Sequence, residues 1–96
     1  MILEQAIFPI KPGQSKDFEA AFAKARQFIQ ASPGFQKLEM RPCIEVADRY
    51  LLLVWWDSVE AHMKGFRESE GFTQWRALLG PHFAGPPEVH HYATTL

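Results

Sequence analysis

Tyr50-Leu51-Leu52-Leu53-Val54-Trp55-Trp56 is the stretch on which the fold turns. It is an unbroken apolar run, bounded by a turn at Ala47-Asp48-Arg49 and by Asp57-Ser58. Successive side chains of a strand point to opposite faces. Leu51, Leu53 and Trp55 therefore share one face, and Tyr50, Leu52, Val54 and Trp56 share the other. A strand that is apolar on both sides is covered on both sides. The run is far too short to cross a membrane as a helix, so no membrane partner is expected.

Upstream, Phe35 to about Glu45 reads as a strand, and Pro42 predicts a bulge or an edge position within it. Before that, Phe18, Phe22, Ala25 and Ile29 recur on one face of a helix running from Ser15 to about Ala31. Ser15 is the expected N-cap, and Ser32-Pro33-Gly34 is the stop. Ile2 to Ile10 is a first strand that frays or meets an edge at Pro9, followed by a turn at Lys11-Pro12-Gly13. Downstream, Asp57 with Glu60 predicts a capped helix to about Arg67. Ser69 starts a second short helix, with Phe72, Trp75, Leu78 and Leu79 on one face and Gly80-Pro81 at its end. Residues 81–87 (PHFAGPP) read as a rigid loop and Val89 to Leu96 as the last strand.

The order is β-α-β-β-α-β with the second helix split in two. This predicts an α+β, ferredoxin-like domain with a four-stranded antiparallel sheet spanning residues 1–96. Helices in that arrangement cover one face of the sheet only. A chain of 96 residues has little left to cover the other. The cheapest cover is the same face of a second copy, so a homodimer is expected. The alternative is that the 81–87 loop folds across it.

Ten basic residues balance eleven acidic ones with no basic stripe, so nucleic acid is not an expected partner. Cys43 is the only cysteine and makes no internal disulfide, which fits a reducing compartment. The first residues, MILEQAIF, lack the basic and long apolar segments of a signal peptide, so a cytoplasmic location is expected.

Several short motifs resemble one family in their order and spacing. They are Pro12-Gly13 before the first helix, Pro33-Gly34-Phe35 after it, Trp56-Asp57-Ser58 with Glu60-Ala61, and Ser69 with Phe72. Together they resemble the antibiotic biosynthesis monooxygenase domain. The resemblance implies a dimeric α/β barrel, in which two ferredoxin-like sheets pack face to face. It also implies an oxygenase acting on quinols or polyketide-like phenols without metal or flavin. Haem-degrading members carry Asn, Trp and His where this chain has Ala6, Phe66 and Arg76, so haem chemistry is not implied. Quinol-oxidising relatives carry His at the Phe66 position and Glu at the Val54 position, which predicts a more apolar pocket here.

Oxygenation without a cofactor needs a dry aromatic pocket, a base for the phenol and a cation for developing negative charge. His62 is the candidate base, since an imidazole titrates near neutral pH. Arg76 is the candidate cation, with Arg41 as a second. Trp56, Phe66 and Tyr92 are the candidate substrate-binding residues, Trp56 by stacking on a flat ring. Phe66 follows His62 by four residues and shares its helical face. His90 and His91 are adjacent on a strand and face opposite sides, so one at most joins the pocket. No third ligand accompanies them, and no metal or other cofactor is expected. The other readings of the same pocket are an isomerase or cyclase with His62 as base, and a non-catalytic small-molecule-binding dimer with a stress or accessory role.

Overall fold

The Tyr50–Trp56 run forms most of β3 (Arg49–Trp56), an inner strand of a four-stranded antiparallel sheet. The computed structural model describes all 96 residues. Around β3 the chain forms β1 (Ile2–Pro9), α1 (Ser15–Gln30), β2 (Phe35–Pro42), α2 (Glu70–Leu79) and β4 (Glu88–Tyr92). A π-helical segment (Ala61–Phe66) precedes α2 and a 3₁₀ turn (Gly80–His82) follows it. The strand order is β2-β3-β1-β4, the α+β ferredoxin-like arrangement with its second helix split.

Register separates the two faces. Opposite β3, Leu3 pairs with Trp55, Gln5 with Leu53 and Ile7 with Leu51. These residues point away from the helices. Glu4, Ala6, Phe8 and Ile10 alternate with them and point toward the helices, where all four are buried. Phe18, Ala25 and Ile29 of α1 and Trp75 and Leu79 of α2 close the core over Leu52, Val54 and Trp56. Burying each such side chain stabilises the fold by about 1.5–3 kcal/mol before chain entropy is set against it.

The 81–87 loop does not cross the outer face of the sheet. Phe83, Gly85 and Pro87 instead line a cavity on the helix side. Leu51, Leu53 and Trp55 stay partly exposed. No helix is long and apolar enough to cross a membrane.

Several local expectations shift. Gln14, not Ser15, occupies the N-cap of α1 without a side-chain bond, because the Ser15 hydroxyl donates to Asp48 Oδ1 at 2.6 Å. Ser58, not Asp57, caps the turn before the π segment by accepting from the Ala61 amide at 3.1 Å. Asp57 is held by the Gln36 side-chain amide. Ser69 caps α2 as expected, accepting from the Phe72 amide at 3.2 Å. β2 is an edge strand that ends at Pro42, and its bulge lies at Phe35/Lys37. β4 stops at Tyr92.

Gly34 has a requirement of its own. Its φ is +87°, and a Cβ there would fall 2.6 Å from the Ala61 Cβ. Its carbonyl accepts from the Asp57 amide at 2.8 Å. Absence of a side chain at Gly34 lets the π segment settle over the end of β3.

Candidate functional site

Among the fifteen buried residues only Glu4 and His62 are polar. The fold brings them together. β1 places Glu4 on the helix-facing side, directly opposite His91 of β4. The π segment carries His62 over the same spot, with the Arg67 amide donating to the His62 carbonyl at 2.9 Å. π-helical turns are rare and recur at functional sites. This one turns both His62 and Phe66 inward, against the Trp56 indole. His62 stacks on it at 5.4 Å between ring centres, and Phe66 lies tilted at 6.0 Å.

A continuous polar chain results. Trp56 Nε1–H donates to Glu4 Oε1 at 2.9 Å. His62 Nε2 lies 3.4 Å from the same oxygen. His62 Nδ1 is 2.8 Å from His91 Nε2. Burial pushes the Glu4 carboxyl up to about 7, against the opposing pull of the Trp56 hydrogen bond and the Arg67 charge. Burial pushes His62 down to about 4, helped by the charges of His91 and Arg67. His62 is therefore a neutral imidazole at pH 7, and its contact with Glu4 is not an ion pair. Burial also lowers His91, with His90 adding to the effect.

Glu4 and His62 stand on the wall of a cavity of about 420 Å³ between the sheet and the helices. That volume suits a small organic ligand. Phe8, Phe66, Phe72, Trp75 and Phe83 supply its aromatic surface. Arg67 and Arg76 border it. Both are otherwise solvent-exposed, and the Arg67 guanidinium also lies 5.2 Å over the Phe72 ring.

The sequence-derived candidates distribute unevenly. His62, Phe66 and Arg76 all line the cavity. Trp56 does not. It sits behind Glu4 and His62, holding both, so it offers no stacking surface to a ligand there. Tyr92 also lies outside, because its register opposite Leu3 turns it to the outer face. There it is 48% exposed and its hydroxyl donates to Gln5 Oε1 at 3.2 Å. Arg41 is on the outer side of β2, bound to Glu39 at 2.7 Å. Of the two adjacent histidines, His91 faces inward and His90 outward.

Glu4 was not among the residues singled out by sequence. The only signal was its parity with Ala6, Phe8 and Ile10, and Gln5 gives the opposite face of β1 a polar residue too.

Other proteins share this arrangement of chain. The family model for antibiotic biosynthesis monooxygenases matches residues 1–78. The uncharacterised protein YczJ of Bacillus subtilis (strain 168) is 37% identical over 92 residues, spanning 96% of this chain and 97% of its own. A crystal structure from Bordetella bronchiseptica, assigned to the same family, is 41% identical and superimposes with a TM-score of 0.94 over 99% of this chain and 97% of its own. SnoaB of Streptomyces nogalater, a cofactor-independent oxygenase, is 18% identical and shares the fold, with a TM-score of 0.84 over 99% of this chain and 93% of its own. With sequence and backbone in agreement along the chain, this protein belongs to the antibiotic biosynthesis monooxygenase family.

Proposed function

We propose that the chain is a cofactor-independent monooxygenase that converts small quinols, naphthols or polyketide-like phenols to quinones, and that it works as a homodimer. One observation carries the reading. An aromatic cavity of about 420 Å³ holds a buried acid–base pair, Glu4 and His62, with two guanidinium groups at its border. The shared fold of SnoaB supports it by analogy.

The chemistry needs few protein groups. A base on the cavity wall takes the phenolic proton. The electron-rich phenolate gives one electron to O₂, and Arg67 and Arg76 steady the superoxide and the peroxide that follows from radical recombination. Loss of the C–H proton and cleavage of the O–O bond then leave the quinone and one water. Phe66 and its aromatic neighbours exclude bulk water from the reactive anion. The outer sheet face, with Leu51, Leu53 and Trp55 at its centre, seats the second copy. Tyr92 then lies at the seam between copies rather than at the substrate.

The test is oxygen uptake by purified, chelator-treated, flavin-free protein given 1-naphthol or an anthrol. One O₂ should be consumed per quinone formed, with label from ¹⁸O₂ in the product. A rate no higher than autoxidation across the phenol panel would sink the reading. A second reading, proton transfer by an isomerase or cyclase, is favoured by the same Glu4–His62 pair, which is acid–base chemistry in itself. Turnover of an enolisable ketone without oxygen would select it.

A further inference from the structure

The oxygenase reading leaves a physical problem. A proton taken from a phenol inside a largely apolar cavity must go somewhere while O₂ reacts, and it is needed again when the peroxide collapses. Beside the open mouth at Arg67 and Arg76, the cavity wall holds a chain of polar groups that leads to solvent. Glu4 and His62 have side chains only 5% exposed, while His91 belongs to edge strand β4 and is partly open to solvent. The three groups are contiguous, at 3.4 Å and 2.8 Å, and each ring nitrogen of His62 faces a different neighbour.

Resting on that reading, we propose that Glu4, His62 and His91 form a proton relay joining the cavity to solvent at the β4 edge, with Glu4 rather than His62 taking the proton from the substrate. His62 is poorly placed to meet a phenol directly, since Glu4 occupies its Nε2 side and His91 its Nδ1 side. Glu4 is the cavity-facing end of the chain. The phenolic O–H bond breaks as a carboxyl O–H bond forms on Glu4. Glu4 passes its proton to His62 Nε2 while His62 Nδ1–H passes its own to His91 Nε2. His91 then releases a proton to water from Nδ1. When the peroxide O–O bond breaks, the same chain run backward returns one proton to the departing oxygen, which leaves as water. The outward and return steps restore the starting tautomers, so every turnover begins from the same state. The 3.4 Å gap between Glu4 and His62 closes with a small side-chain movement, as contacts in unliganded sites commonly do.

The surroundings support this division of labour. Trp56 donates to the carboxylate from β3 and fixes its orientation. Arg67, following the π segment, favours ionised Glu4 and disfavours a charged His62. Burial lowers His91, and the adjoining His90 adds to the effect. Arg76 of α2 faces the cavity rather than the relay. Glu4 near 7 is poised for exchange at neutral pH, and a neutral His62 conducts without trapping the proton.

His91 touches no cavity surface, so its replacement isolates the relay from substrate binding. His91→Gln should lower kcat for naphthol oxidation about tenfold to a hundredfold with KM within about twofold, and flatten the pH profile near neutrality. His91→Ala should be equally impaired and regain activity in proportion to added imidazole. This second variant decides the matter if the Gln form fails to fold. A readout independent of turnover is exchange of the His62 ring N–H with solvent, followed by ¹⁵N NMR. It should slow at least about tenfold in His91→Gln. Slowed exchange in a protein that oxidises no phenol would uphold the relay while the oxygenase reading falls. An unchanged exchange rate would overturn the relay, as would, in a protein that oxidises the naphthol, wild-type kcat in His91→Gln or absence of imidazole rescue in His91→Ala.

Discussion

The two faces of the sheet are built from the same four strands, yet they solve opposite problems. The inner face packs with the helices into a core of thirteen buried apolar residues, and there the fold sets Glu4 and His62, the two buried polar residues. The outer face has an apolar centre at Leu51, Leu53 and Trp55 with Leu3 and Ile7 beside them, and its edge strands β2 and β4 are polar. There Lys37 lies 5.1 Å over the Trp55 ring and pairs with Glu39 at 3.2 Å. On the inner face a charge is costly and therefore responsive to its neighbours. On the outer face charge is cheap and only frames an apolar patch, the face to which the proposed dimer assigns a second copy. The difference teaches where chemistry belongs in so small a chain: the groups whose titration burial shifts furthest, Glu4 and His62, sit on the side that is dry within one subunit.

That comparison can be broken most forcefully at β3, where neighbouring tryptophans face opposite ways. Trp56→Ala should destabilise the fold by about 3–5 kcal/mol, through the cavity it leaves and the lost partner of Glu4. Chemical denaturation measures this, and a loss below about 1 kcal/mol would contradict the inner-face role. The milder Trp56→Phe should drive the Glu4 carboxyl above about 7, because the hydrogen bond that holds it down is gone.

Gly34→Ala should destabilise by about 2–3 kcal/mol, from positive φ and the collision with Ala61. It should also loosen the π segment, seen as faster amide exchange at Arg67, whose amide donates to the His62 carbonyl.

Glu4→Gln sharpens the electrostatic half of the comparison. The Glu4 carboxyl is raised from 4.5 to about 7, so the folded protein keeps a proton that the unfolded chain has released. Its contribution to stability therefore falls as pH rises from about 4.5 to about 7. His62 is lowered to about 4, so its contribution falls in the other direction, as pH drops below 6.5. Relative to wild type, Glu4→Gln should gain about 2–3 kcal/mol between pH 4.5 and 8. Parallel stability curves for the two proteins would show that Glu4 titrates normally.

The smallest effect on folding is expected outside. Leu53→Arg should change the stability of an isolated subunit by no more than about 0.5–1 kcal/mol. It should still split the proposed dimer, read as a halved mass by light scattering. A wild-type protein that runs as a monomer would remove the proposed role of that face.

Much of the frame was legible in the residues. The both-sided apolar run of β3, the Phe18/Phe22/Ala25/Ile29 stripe and the Ser69 cap are local signals, set by side-chain alternation, helical period and one hydrogen bond. The candidate site was legible only in part. His62, Phe66 and Arg76 sit on helical segments whose inward or cavity-edge positions the spacing suggests, and they do meet at one cavity. Tyr92 and Trp56 were placed by the same reasoning but stand elsewhere.

What the chain determined by itself was therefore the set of elements, their order and the two-sided character of β3, because these follow from interactions within a few residues. The tertiary structure alone decided which face of β1 buries its polar residue, which of two adjacent histidines turns inward, and that a π-helical turn lays His62 between Glu4 and His91. Those choices depend on strand register and on contacts between residues far apart in sequence, such as Glu4 with Trp56 and His62 with His91. No local pattern carries that information, since moving a strand's pairing by one residue exchanges its faces without altering its sequence.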